Sequence, residues 1–245
     1  VSRKRTSSFQ IARLRGRNMI QFLRMYRTSI GTKIVMAVTG LLLFLWIIAH
    51  MLGNLLVFAG QDAMNAYAFS LKELGPLLWI VRIGLLALFI VHILSAVLVW
   101  RSNRGARTEA YSEYDPRWAT YAGRTMMVSG VLVLVYVLYH LMHFTFGWID
   151  PAYMQLLDGH GRHDVYAMVV HSFSNVIVSA VYIVSMGLLA FHLSHGVTSL
   201  FQTLGWHHPS YNPLIKRLGP ILSVVIAIGF ILVPLGVLTG VVALP

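Results

Sequence analysis

The stretch GTKIVMAVTGLLLFLWIIAHMLGNLLVFA, Gly31–Ala59, decides the fold. Its one charged side chain, Lys33, sits near the start, and the rest of the run is apolar apart from isolated Thr, His and Asn. A helix rises about 1.5 Å per residue, so about 20 such residues cross the roughly 30 Å of hydrocarbon in a bilayer. Four further runs meet that length: Pro76–Trp100, Gly123–Trp148, Val165–Leu200 and Leu214–Leu244. The whole chain of 245 residues is 57% hydrophobic and 11% charged, with a mean hydropathy of +0.71, which excludes an ordinary soluble domain. The expected fold is an all-α membrane protein of five transmembrane helices, with a basic segment 1–28 ahead of a membrane domain 29–245. The first run is too long for the apolar part of a signal peptide and no cleavage pattern comes after it, so it reads as a retained span. No internal sequence repeat and no low-complexity stretch is read.

The formal charge of +11 belongs to the ends of the spans. Arg3, Lys4, Arg5, Arg13, Arg15, Arg17, Arg24 and Arg27 precede the first span, Arg101, Arg104, Arg107, Arg117 and Arg124 follow the second, and Lys216 and Arg217 precede the fifth. The other connections are poor in Lys and Arg. The positive-inside rule therefore predicts a cytoplasmic N-terminus and an outer C-terminus. The segment up to Arg27 either lies on the membrane or a partner's acidic face, or is a solvated tail near anionic lipid. Trp79, Trp100, Trp148 and Trp206 fall where an interfacial aromatic belt would stand. Cysteine is absent, which excludes disulfides, thiolate-ligated iron–sulfur clusters and thiol catalysis in this subunit.

Histidines concentrate in four of the five runs: His50, His92, His140, His143, His171, His192 and His195. Ionisable groups in hydrocarbon are costly and ordinarily face the bundle interior, so any one of them has a bland reading as a hydrogen-bonded core residue. Depth separates the set into levels. His50 lies about 24 Å along the first span and His140 about 22 Å along the third, both toward the outer side; His92 and His192, late in spans that run the other way, lie toward the cytoplasm. A pair of neutral imidazoles from two helices supplies both axial ligands of a haem iron, whereas zinc or copper prefers more ligands at one depth. Two haems, about 15 Å apart along the membrane normal, are expected. His143 and His195, three residues after His140 and His192, remain rivals for their neighbours' roles or donors to a propionate. Arg82, inside the second span, either meets a propionate of the outer haem or snorkels to the interface. His171 is placed with the outer haem, and Arg124 and Lys33 with the inner one or with the positive-inside set. His160, His163, His207 and His208, in connections, are expected to be solvated.

The strings LWIIAHMLGN, LFIVHILSAV, YVLYHLMHF and AFHLSHGVTSLFQTLGW resemble the four histidine segments of the di-haem cytochrome b anchors of succinate dehydrogenase and fumarate reductase. The likeness runs from Ser29 to the end of the fifth span, and the last string is its most specific motif. It implies that His50 and His140 ligate the outer, distal haem, and His92 and His192 the inner, proximal one. It further implies an iron–sulfur subunit and a flavoprotein with FAD on the cytoplasmic face, and a quinone, usually menaquinone, as electron acceptor. A bacterial cytoplasmic membrane is the implied location, with a higher oligomer left open. One departure stands out: some di-haem fumarate reductases carry a glutamate two residues before the fourth-span ligand, where this chain has Ala190. Glu73 is then the nearest carboxylate to offer as a quinol-linked proton acceptor. Two other readings compete, a haem b subunit of a formate dehydrogenase or nitrate reductase type, and a haem-free anchor or transporter.

Overall fold

A computed structural model describes residues 28–105, 125–206 and 208–245; the basic segment 1–27, Arg124 and His207 lie outside them. Among the described residues seven α-helices succeed one another: α1 Ser29–Leu55, α2 Gln61–Glu73, α3 Pro76–Gly105, α4 Met126–His140, α5 Val165–Ser174, α6 Val176–Thr203 and α7 Asn212–Leu238. A 3₁₀ turn, Leu56–Ala59, extends α1, and a π-helical turn, Leu141–Thr145, extends α4. No strand occurs among the described residues beyond one isolated bridge, Leu157–His163. Among the described residues five helical segments are long and apolar enough to cross a membrane: Ile30–Ala59, Pro76–Gly105, Met126–Thr145, Val176–Thr203 and Asn212–Leu238. On α3, Trp79 and Trp100 stand about 31 Å apart at 1.5 Å per residue, the thickness of the hydrocarbon layer. Each carries an arginine over its ring, Arg82 at 5.3 Å and Arg104 at 5.5 Å, as interfacial anchors do.

The structure departs from the sequence reading in three places. The run Val165–Leu200 is two helices, because Asn175 takes an extended backbone (φ −77, ψ 114) and its side chain caps the N–H groups of Ile177 and Val178. Ser179 completes the break by donating to the Phe173 carbonyl at 2.6 Å. The connection after the first span is itself a helix, α2, packed against the turn that extends α1 and against α5. The third run changes to π winding right after His140, the kind of local widening that recurs at functional sites.

Lipid offers apolar side chains no reason to leave it, so close packing between spans falls to small residues that let backbones approach. On α7, a Cβ at Gly219 would run into the Ser194 carbonyl and the Thr198 hydroxyl of α6, and Gly229 and Gly236 lie under Met51 and Phe58. Met51, Met186, Leu189, Leu193, Ile226 and Ala227 fill the centre between α1, α6 and α7. Val57, Tyr166, Val169, Phe173, Tyr182 and Val233 fill the end next to α2 and α5. Helices α3 and α4 stand outside that core, with one buried residue each, Ser95 and Ser129. Among the described residues, α1 packs along α3, α6 and α7, and α6 along α4 and α7. Neither α1 with α4 nor α3 with α6 packs closely along its length.

A polar cap closes the α2 end. Asp164 caps α5 at the Ala167 N–H (2.9 Å) and accepts from Gln61 (2.7 Å) and Asn65 (2.9 Å). Asn65, fully buried, also donates to Asp158 and accepts from the Tyr166 N–H. Burial pushes the Asp158 carboxyl up, but the Arg162 backbone and guanidinium, the His160 N–H and Asn65 outweigh it and hold it at about 2. Arg162 reaches on to Asp62 of α2 at 2.7 Å.

Candidate functional site

The four principal histidines lie on α1, α3, α4 and α6, the helices that leave two pairings open. At the capped end, His50 on α1 and His140 on α4 face each other with ring centroids 5.9 Å apart and planes at 80°. Trp46 stacks on His50 at 4.8 Å and Phe230 closes a third side. Tyr136, Phe144 and Tyr182 surround His140, whose Nδ1 is buried with no hydrogen-bond partner. The Asn54 amide donates both to the His50 carbonyl (2.8 Å) and to its Nε2 (3.3 Å), so that nitrogen carries the lone pair.

Farther from the cap, His92 on α3 and His192 on α6 are within electrostatic reach of one another. His92 rests on α1, with Nδ1 3.2 Å from the Met36 carbonyl and 3.3 Å from the Thr39 hydroxyl. His192 rests on α4, with Nδ1 3.2 Å from the Ser129 hydroxyl. The residue after each hydroxyl is glycine, and the ring lies against it. A Cβ at Gly40 would stand 3.1 Å from His92 Cε1, and one at Gly130 3.4 Å from His192 Cε1.

Thr39 precedes His50 by eleven residues, and Ser129 precedes His140 by eleven. Each of α1 and α4 therefore presents a hydroxyl–glycine step at one level and a histidine at the other, about 16 Å further along. The sequence alone shows no repeat, because this one is short, [Thr/Ser]-Gly and then His ten positions after the glycine. Its meaning appears only when the step is seen under another helix's imidazole. For that reason Asn54, Thr39, Gly40, Ser129 and Gly130 escape a reading of the sequence.

The other expected site residues separate. His143 is 2% exposed; its Nδ1 meets Tyr182 Oη at 3.0 Å, and its Nε2 stands 3.2 Å from the Asp150 carboxylate without a hydrogen bond. His195 is half-buried beside His192. His171 stacks on Tyr153 at 5.1 Å, on α5 and so beyond the break that separates it from α6. Arg82 is exposed over Trp79, and Lys33 and Glu73 are exposed as well. His160 is exposed near Asp62, and His208 is exposed and accepts from the Ser210 N–H. His163 corrects the expectation of a solvated loop residue: both ring nitrogens are buried, because the Leu157–His163 bridge turns the side chain under the cap. Burial and then Lys72 hold its imidazole below its ordinary value, against the Met154 carbonyl and Asp164, which favour the charged form.

Among the described residues no group of three or more His, Asp or Glu converges as a metal ion held by protein side chains alone would need. What the arrangement offers is paired imidazoles at two levels, each pair on helices that do not pack closely on one another. The chain matches no family model, no curated protein and no solved structure.

Proposed function

We propose that the chain is the membrane anchor and electron-transfer subunit of a succinate:quinone oxidoreductase, holding two b haems between its helices. One observation carries the reading: His50 and His140, and His92 and His192, stand on pairs of helices that do not pack closely on each other. Two imidazoles gripping one iron, each nitrogen about 2 Å from the metal, need ring centres about 6 Å apart. The His50–His140 separation of 5.9 Å suits that span. The unpartnered Nδ1 of His140 and the glycine seats under His92 and His192 suit it too. His92 and His192 each keep the proton on Nδ1, which leaves the Nε2 lone pair to bind a metal, whereas the Nε2 of His50 meets the Asn54 amide. His143, with Nδ1 on Tyr182 and Nε2 facing the Asp150 carboxylate rather than another imidazole, is the weaker rival of His140.

Haem, when bound, supplies a one-electron iron couple at each level. The protein's part is to fix the imidazoles, exclude water with the apolar faces of α1, α3, α4 and α6, and hold the two levels about 16 Å apart. The basic segment and the basic α3–α4 connection set the orientation and put the His92–His192 level toward the cytoplasm. The iron–sulfur and flavoprotein partners would dock on that face, and a quinone, menaquinone by the family resemblance, would react near the His50–His140 level.

The test is a set of four variants in the assembled complex. His92→Ala and His192→Ala are expected to remove one haem band and leave the other, and His50→Ala and His140→Ala the reverse. Loss of the same band from His50→Ala and His92→Ala would sink the pairing. Succinate-dependent quinone reduction by the complex tests the partner assignment separately.

A further inference from the structure

His92 and His192 lie on different helices, yet each meets the same two-residue device on the helix beside it. The Thr39 hydroxyl donates within its own helix, to the Val35 carbonyl at 2.8 Å or the Met36 carbonyl at 3.1 Å. The Ser129 hydroxyl donates to the Met126 carbonyl at 3.1 Å. A hydroxyl has one proton, and while that proton is given to the backbone carbonyl the oxygen only accepts from the imidazole. With the hydroxyl protons on those carbonyls, the nitrogens that face the hydroxyl oxygens, Nδ1 of His92 and Nδ1 of His192, are the protonated ones. The Met36 carbonyl, which has no proton to give, asks the same of His92.

We infer that Thr39 and Ser129 are positioning residues for the haem at the His92–His192 level. They fix the tautomer and rotation of the two imidazoles so that both turn Nε2 to one iron, and their hold on the Nδ1 protons tunes that iron. The inference rests on the haem reading proposed for this chain. A hydrogen bond accepted from Nδ1–H raises the basicity of the ligand, which favours the oxidised metal. The other level is held differently: Asn54 donates to His50 from the same helix, and His140 Nδ1 has no partner. The tuning is therefore confined to one haem.

The experiment compares Thr39→Val and Ser129→Ala in the assembled complex by optical redox titration of both haem bands, with the low-spin electron paramagnetic resonance signals as a second readout. Each variant raises the midpoint of the band that His92→Ala removes. A tenfold change in the iron's preference between its two states reads as about 59 mV. Ser129→Ala gives the larger shift, because His92 keeps the Met36 carbonyl after Thr39→Val. Thr39→Ser leaves the midpoint in place, and the band removed by His50→Ala stays put throughout. Should Thr39→Val fail to assemble, Ser129→Ala carries the test. Two haems with unmoved midpoints in both variants overturn the inference, as does an equal shift of both bands. A wild-type complex without haem bands overturns the haem reading instead.

Discussion

The two histidine levels are held by different means. At the level far from the cap, His92 and His192 are each fixed by a hydrogen bond to a neighbouring helix and a glycine that lets the ring lie on the backbone. At the capped level, His50 and His140 sit among Trp46, Tyr136, Phe144, Tyr182 and Phe230, and the polar network of α2 and residues 158–166 closes the end over them. A hydrogen bond to another helix sets tautomer and rotation; an aromatic cage sets position by shape, with His50 adding only a bond from Asn54 of its own helix. One bundle thus holds the same residue type in two ways. The first is sensitive to single hydroxyls and single methyl groups, and the second to the integrity of the cap.

The largest expected effect is at Gly40. The space under His92 admits no side chain without displacement, so Gly40→Val is expected to abolish the haem band that His92→Ala removes while sparing the other. Gly130→Ala is the milder counterpart, since its Cβ would meet His192 Cε1 at 3.4 Å, ordinary van der Waals contact. Haem content per complex from optical spectra checks the order, and equal losses from the two substitutions would break the comparison. Next is Asn65→Leu in the cap. It strips partners from Asp158, Asp164 and the Tyr166 N–H together, a cost of about 2 kcal/mol if one buried group is left unpaired. Thermal unfolding of the purified complex is expected to start earlier, with the His92–His192 haem the later of the two to be lost.

The smallest effect is the response of the cap to acid. The folded His163 imidazole titrates below its ordinary value of 6.5. The opened cap therefore binds the proton more readily than the closed one, and stability of the closed form falls as pH drops through and below 6.5. Amide hydrogen exchange across 157–166, corrected for its intrinsic pH dependence, is expected to quicken modestly between about pH 7 and pH 5. His163→Gln removes that pH dependence, and an unchanged profile in this variant would assign it to another group.

Much of this architecture is legible in the chain. The five spans are visible because about 20 apolar residues in a row have few uses outside a bilayer. That His50 and His140 share a level comes from counting 1.5 Å steps along helices of known direction. The break at Asn175 is hidden inside an unbroken apolar run, since one capping asparagine does not alter hydropathy. Helix α2 is hidden by its mixed composition. The burial of His163 depends on a bridge between residues six apart in a loop, which no periodicity reports.

The sequence by itself determined that the chain is a bundle of membrane-crossing helices with histidines gathered at two depths, because length, hydropathy and helical rise act locally along each segment. Only the tertiary structure decided which helices touch and which stay apart, and that Thr39–Gly40 and Ser129–Gly130 lie under imidazoles from other spans. The reason is that lateral packing in lipid depends on small residues and single hydrogen bonds between helices. Such contacts join residues 53 and 63 positions apart in this chain, and their partners are set by the fold.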